Sequence, residues 1–335
     1  MNILFIGSLK KFSFSRYTYE ILNEKNNVDV IDIDKFFFSN FILYTLLYNL
    51  NSPIVENWLY SKFNKSINKK YDLIFTTAGE LFGKKILINL KKRSKLVFLC
   101  LDNPFFNNDK LKWSFSKKAL HLYDKVIFQQ PTRVKYALKH KIKYSLIPPL
   151  INKKIHRPIN INLKNRKYRR DILIIGTWFK EREKLAEYLI KKKLNLEIIG
   201  SNWKKAKNYN ILKNYIKFSN GLVGKKYAEE IFFSKIVICL PNSENDDDIT
   251  NKSLEIPACG SLLVAKNTKS HKQIFKNSYN AILFNNNKDL LKKLNKILAN
   301  KEKINAISKN GFKRVFYDNK FNYKNNLNKI INKLA

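Results

Sequence analysis

The sequence predicts an α/β protein of two doubly wound domains that face each other across a cleft, with a helical C-terminal tail. Three observations carry this. Short, near-continuously apolar, β-rich runs alternate with segments of helical spacing, the pattern of a parallel sheet covered on both faces. The rhythm breaks once, at 144–170, where Pro148, Pro149 and Pro158 stand with a basic cluster, and then restarts. A length of 335 residues suits two domains of ordinary size.

In chain order, NILFIG (2–7) is a strand ending in glycine, and Ser13 to Asn23 is helical. VDVIDID (28–34) and YDLIFTT (71–77) are strand-like. Leu81 to Leu90 is helical, KLVFLCLD (95–102) and DKVIFQQ (124–130) are strands, and Thr132 to Lys139 is a helix. After a last strand near 144 comes the linker. In the second half DILIIG (171–176), LNLEIIG (194–200), Tyr215 to Phe218, KIVICL (235–240), SLLVA (261–265) and AILF (281–284) are strands. Between them Glu181 to Lys192, Lys225 to Phe233 and Leu254 to Cys259 are helical, as are Leu290 to Leu298, Ile304 to Phe316 and Tyr323 to Leu334. The expected domains are therefore 1–150, a linker at 151–170, 171–318, and a C-terminal helix at 319–335 that packs back on the first domain.

The composition narrows the function classes. Apolar residues make up 44%, which excludes a wholly disordered chain, and 9 glycines with 8 prolines exclude collagen-like and low-complexity chains. Three cysteines, Cys100, Cys239 and Cys259, lie in or beside apolar runs with no CxxC pair. They read as reduced buried thiols, and the expected compartment is the cytoplasm. No signal peptide is evident, and FFFSNFILYTLLYNL (36–50) falls short of the ~20 residues a spanning helix needs. It reads as a buried helix or as one lying on a membrane surface.

The charge is extreme, 65 Lys+Arg against 26 Asp+Glu, net +39. A polyanion partner is one explanation. An AT-rich coding sequence is the other, since only 9 of the basic residues are Arg, the side chain suited to bidentate phosphate and base contacts.

Open parallel sheets bind ligands at the carboxyl ends of their strands, where helix N-termini favour phosphate. A phosphate-bearing small molecule is the expected ligand of the interdomain cleft. The strongest local signal is the segment 246–263. Its single carboxylate in an apolar stretch, Glu255, either accepts two hydrogen bonds from a vicinal diol such as a ribose or lies on the exposed side of a short helix. The acidic run Asp246-Asp247-Asp248 either holds a metal or is a solvated loop. Glu80 and Asp102, each following a predicted strand of the first domain, are candidate general bases. Otherwise Glu80 is an early-helix carboxylate and Asp102 a turn residue. His121, His140 and His156 are expected at the surface.

The segment Asn251-Lys252-Ser253-Leu254-Glu255-Ile256-Pro257-Ala258-Cys259-Gly260 resembles the GT-B glycosyltransferases of group 1 that include the spore-maturation protein CgeB. Their hallmark is an acidic loop followed by Asn-x-Arg-(Ser/Thr)-Phe-Glu-Ile-Pro-Ala-Cys-Gly. GTWFKERE (176–183), IIGSNW (198–203) and GLVGKKY (221–227) follow the family's order upstream, and Thr268, His271 and Phe275 continue it downstream. The likeness covers roughly 171–320. Over 1–150 it rests on the βα pattern and LDNPF (101–105).

This resemblance implies a GT-B fold of two Rossmann-like domains and a nucleotide-sugar donor bound mainly by the second. Glu255 would hold the ribose hydroxyls, within a motif that begins at Asn251. Gly176, Thr177 and the following helix N-terminus would approach the diphosphate, with Arg182 as a bidentate contact. Lys252 stands where the family has Arg, keeping the charge but not the fork. Asp247, with Asp248 as the alternative, would contact the donor sugar, and His271 the donor sugar or a phosphate. The leaving diphosphate would be stabilised without metal or other cofactor. The base would come from the first domain, Asp102 ahead of Glu80. Kinship favours retention of configuration.

The sequence thus implies transfer to a glycan, lipid-linked or protein acceptor, in the cytoplasm or peripherally at the inner face of an anionic membrane. Two other readings stand beside it: a nonenzymatic nucleic-acid binder, and a GT-B fold that binds a nucleotide sugar without turnover. Against the former, no RRM, KH, helix-turn-helix or zinc pattern occurs, so specific nucleic acid is not an expected partner.

Overall fold

The computed structural model describes residues 1–38, 53–67, 69–106, 112–114, 116–159 and 166–334. Most of the apolar run 36–50, and residues 160–165 of the linker, lie outside them. The chain divides into two compact units. One is Met1–Pro148 with Glu244–Asp246 and Lys324–Ala335; the other is Pro149–Ser243 with Asp247–Tyr323. The stretch read as a linker is therefore the opening of the second unit.

The first unit holds a parallel six-stranded sheet of β1 (Asn2–Gly7), β2 (Asn27–Asp32), β3 (Leu73–Thr76), β4 (Lys95–Cys100), β5 (Lys125–Phe128) and β6 (Tyr144–Leu146). Its order is β2-β1-β3-β4-β5-β6, so the winding reverses between β1 and β3. The helices are α1 (Phe14–Asn23), α2 (Ile33–Phe38), α3 (Pro53–Ser66), α4 (Lys84–Lys91) and α5 (Val134–Lys139). The helix expected from Leu81 is broken: a 3-10 turn spans Gly79–Leu81, and α4 begins only after Gly83, extended at ψ 179°.

The second sheet contains β7 (Arg170–Ile175), β8 (Leu196–Ile199), β9 (Ile216–Phe218), β10 (Ser234–Cys239), β11 (Leu262–Lys266) and β12 (Ile282–Phe284), again all parallel. The order β12-β11-β10-β7-β8-β9 is that of a doubly wound nucleotide-binding sheet, reversing between β7 and β10. Its helices are α6 (Lys180–Lys191), α7 (Tyr209–Leu212), α8 (Gly224–Phe232), α9 (Asn251–Ala258), α10 (Lys269–Ile274), α11 (Asn287–Leu298) and α12 (Lys301–Phe316). The tail helix α13 (Tyr323–Asn332) buries Tyr323, Leu327 and Ile331, one residue per turn, and groups with the first unit from Lys324 onward.

The continuous apolar runs have a direct physical cause. Successive strand residues point to opposite faces, and each face of the second sheet has its own core. Ile172, Ile174, Ile236 and Ile238 pack with Leu185 and Leu189 of α6 and Leu290 and Leu294 of α11. Leu173, Ile175, Val237 and Cys239 pack with Ile231 of α8, Leu254 of α9 and Val315 of α12. A strand buried on both sides leaves no position for the polar half of an alternating pattern. All three cysteines are free and buried.

Helix α9 starts three residues before the expected Leu254, because the Ser253 hydroxyl turns back to accept the Thr250 amide at 3.2 Å. It ends against Gly260, whose φ of +84° suits a residue without a Cβ.

Candidate functional site

The winding reversal of the second sheet opens a crevice at the ends of β7 and β10. Past Ile175 the chain turns at Gly176, with φ +137°. A Cβ there would lie 2.9 Å from Arg182 Nη1 and 3.1 Å from Lys252 Cε, so two cationic side chains close directly over this glycine. From the other side a Cβ at Gly200 would stand 1.8 Å from the Gly176 carbonyl oxygen, which also accepts the Trp203 indole N–H at 3.1 Å.

Arg182 is 6% exposed. Its Nη1 donates to the Thr177 carbonyl just past β7, and its Nη2 to the Leu240 carbonyl just past β10, at 3.4 Å. It thus ties together the two strand ends that bound the crevice, with its guanidinium against the Phe179 ring at 4.1 Å. Burial lowers its pKa to about 10, still a cation at neutral pH. Both Nη atoms of Arg182 thus already donate to main-chain carbonyls. The Lys252 ammonium, by contrast, has no acid or carbonyl partner among the described residues. Thr177 is exposed, its hydroxyl 3.0 Å from that of Ser201.

Three residues along α9 from Lys252, on the same face, stands Glu255. It is 6% exposed, so it does not lie on an open helix surface. Tyr227 Oη donates to its Oε2 at 2.6 Å. Burial, with the Glu255 charge, pushes the Tyr227 phenol well above its ordinary range and keeps it a donor. His156 Nε2 is 3.9 Å from Oε1. The Asn152 amide donates to His156 Nδ1 at 3.1 Å, so the proton of the neutral ring sits on Nε2, facing the carboxylate. Burial lowers the His156 pKa, and the Glu255 charge acts against that. Expected at the surface, His156 is buried, because residues 149–156 fold onto α9: the Leu150 amide donates to Asn251 Oδ1 at 2.8 Å.

His271, read as a ligand contact, is 0% exposed, with both ring nitrogens bonded within the protein. Thr268 Oγ1 gives its proton to the Asp248 carbonyl at 2.7 Å and so accepts from His271 Nδ1 at 2.9 Å. Nε2 is then an acceptor, and Ser253 Oγ donates to it at 2.8 Å. This chain of bonds fixes the start of α9, which carries Asn251 and Lys252. Burial lowers the His271 pKa to about 4. The Asp248 carboxylate is bound to the amide and hydroxyl of Ser270 at the start of α10. The Asp247 amide donates to the Asn242 carbonyl at 3.1 Å.

In the first unit, Glu80 is nearly buried and the Asp102 side chain is 56% exposed. Lys112 Nζ lies 3.9 Å from Glu80 Oε1 and 2.8 Å from Asp102 Oδ2. One lysine thus brings the two candidate bases together. At the reversal between β1 and β3, Ser15 and Thr77 hydroxyls lie 2.7 Å apart, where any Cβ on Gly7 would clash with both. No cluster of three or more metal-ligating side chains occurs among the described residues.

Sequence reasoning missed Tyr227 and His156. Tyr227 falls in GLVGKKY and sits one turn into α8, which was a usable signal. His156 reaches Glu255 across 99 positions of chain, and no local pattern marks that.

Known structures share this fold. Sucrose-phosphate synthase from Thermosynechococcus elongatus superposes with a TM-score of 0.70 at 13% identity, over 100% of this chain and 99% of that one. Anabaena HepE in complex with UDP and glucose gives 0.66 at 13% identity, over 99% and 100%. A glycosyltransferase from Rickettsia africae gives 0.65 at 16% identity, over 98% and 97%. The fold is GT-B: two parallel α/β units, as in these glycosyltransferases. Within it, residues 174–332 match the glycosyl transferase-like family. No curated protein matches the sequence.

Proposed function

We propose that this protein is a glycosyltransferase that moves a sugar from a nucleotide-sugar donor, held by the second unit, to an acceptor approached by the first. One observation carries the reading: at the winding reversal of the second sheet, Arg182 and Lys252 close on Gly176, and Glu255 follows Lys252 by one turn of α9. Gly176 lets a diphosphate approach the backbone. Lys252, with Arg182 beneath it, meets the negative charge that grows on the departing diphosphate, and the start of α6, which has no side-chain cap, adds its dipole. Glu255 accepts from a ribose hydroxyl, with Tyr227 holding its other oxygen. Charge from these groups makes the reaction metal-independent. The motif 251–260 supports a CgeB-like group, transfer with retention, and Asp247 on the donor sugar. Asp102, steered by Lys112, orients the acceptor, with Glu80 behind it. The acceptor is a glycan, a lipid-linked sugar or a protein.

A melting-temperature panel of UDP, GDP, ADP, TDP and CMP tests this, with and without Mg²⁺. UDP comes first because HepE is seen with UDP. A nucleotide at a hundred times its Kd adds about 2.7 kcal/mol, a rise on the order of 5–10 °C. The expected result is a rise with one nucleotide, indifferent to Mg²⁺ and lost in Glu255→Gln and Lys252→Met, followed by sugar transfer from the matching donor. Stabilisation by none, or by all alike with loss in salt, overturns the reading.

A further inference from the structure

On the second unit a groove of about 790 Å³ runs between α8, α12 and residues 154–159. Its floor is apolar: Ile155, Ala228, Phe312 and Phe316 line it, and Tyr317, 67% exposed, stands at its edge. Phe312 and Phe316 stack on each other at 4.8 Å, and Tyr317 meets both edge-on at 5.6 Å. Its rim is cationic. Lys154, Arg157 and Lys225 are exposed and have no acid partner among the described residues. Lys153, over the Phe316 ring at 5.1 Å, adds a fourth charge, and burial lowers its pKa. The acid on the rim, Glu229, is neutralised by Arg169 at 2.9 Å.

A half-buried apolar floor, with Tyr317 exposed at its edge, under an unpaired cationic rim calls for an occupant with an apolar body and an anionic head. A second copy of the chain fits poorly, since it brings the same net +39. Single-stranded nucleic acid also fits poorly. Phe312 and Phe316 spend faces on each other, and the Phe233 ring is covered by the Arg169 guanidinium at 4.0 Å, which leaves few flat surfaces for bases. We propose that this groove seats an anionic phospholipid, acyl chain along the aromatic floor and phosphate at Lys154, Arg157 and Lys225, docking the second unit at a membrane surface. The inference does not depend on the donor site.

Co-sedimentation of the full chain with vesicles tests it, using phosphatidylcholine alone and phosphatidylcholine mixed with phosphatidylglycerol. The full chain is expected to bind only the mixed vesicles. Lys154→Gln with Lys225→Gln should weaken that binding about 30-fold, from the worth of two juxtamembrane cations. Lys191→Gln with Lys192→Gln, an equal charge loss at the exposed end of α6, should change it less than about twofold. Tyr317→Ser removes no charge and should cost about fivefold. Its exposure lets the variant fold, which an unchanged melting curve checks. The proposal is overturned if the full chain binds neither vesicle or both alike, if the two lysine pairs lose binding equally, or if Tyr317→Ser binds normally. It is also overturned if single-stranded RNA displaces the vesicles with the same dependence on the groove residues, since the occupant is then nucleic acid.

Discussion

Acidification should release stability through one side chain, His271. Its ring has no exposed surface, and its neighbours already use the neutral form: Nδ1–H donates to Thr268, and Nε2 accepts from Ser253. Burial is the main cause that takes its pKa from 6.5 to about 4. The unfolded chain therefore binds a proton that the folded chain refuses. The stabilisation is complete above about pH 6.5 and drains as pH falls toward about 4, where the folded ring also protonates. The difference of about 2.5 pH units corresponds to about 3 kcal/mol, of which about 2 kcal/mol is gone by about pH 5. Urea unfolding from about pH 7 to about pH 4.5, on the wild type and His271→Gln, isolates it. His156 titrates in both proteins and cancels in the difference. The variant should be less stable at neutral pH and lose less on acidification, its slope shallower by up to one proton. Parallel profiles would refute the neutral, buried ring.

Two further substitutions probe the floor and the frame of the second unit. Gly200→Ala would drive a methyl carbon into the Gly176 carbonyl at 1.8 Å. It should cost about 3 kcal/mol or more in thermal unfolding and abolish nucleotide stabilisation, and a normal melt would show that the two glycines do not touch. Arg170→Met removes a buried guanidinium bound to Glu197 at 2.6 Å and Glu230 at 2.5 Å, leaving the nearly buried Glu230 dependent on more distant cations. A loss of about 3–5 kcal/mol is expected by chemical denaturation, recovered in part when Glu230→Gln is added, whereas a loss under about 1 kcal/mol would mean the pair contributes nothing.

The parts legible in the sequence were those set by period and local chemistry. Strands such as 171–176 and 235–240 declared themselves because both their faces are covered, and Gly176 marked the turn that follows β7. Helices α2, α3, α7 and α10 were not read. Three have six residues or fewer, too few for a period to show, and α3 follows a run already taken as one apolar helix, although Pro53 at its first position was a start signal. The Glu255 motif was visible as a pattern. What it does not contain is the environment of its carboxylate: Tyr227 arrives from α8 and His156 from the segment before β7. Arg182 likewise looked like a ligand contact, because a guanidinium at a helix start reads the same whether it faces outward or reaches in to two carbonyls.

The way Arg182 joins the ends of β7 and β10 has a kinetic consequence. A ligand entering the crevice meets a floor assembled in advance, so little backbone has to be ordered on arrival. The freedom still to be lost lies mainly in the Lys252 side chain, on the order of 2 kcal/mol of rotamer entropy for a lysine. For the proposed nucleotide-sugar donor, association should then run at the rate of encounter, hastened by the positive field of the chain and slowed by salt, while differences between donors appear in how slowly each one leaves.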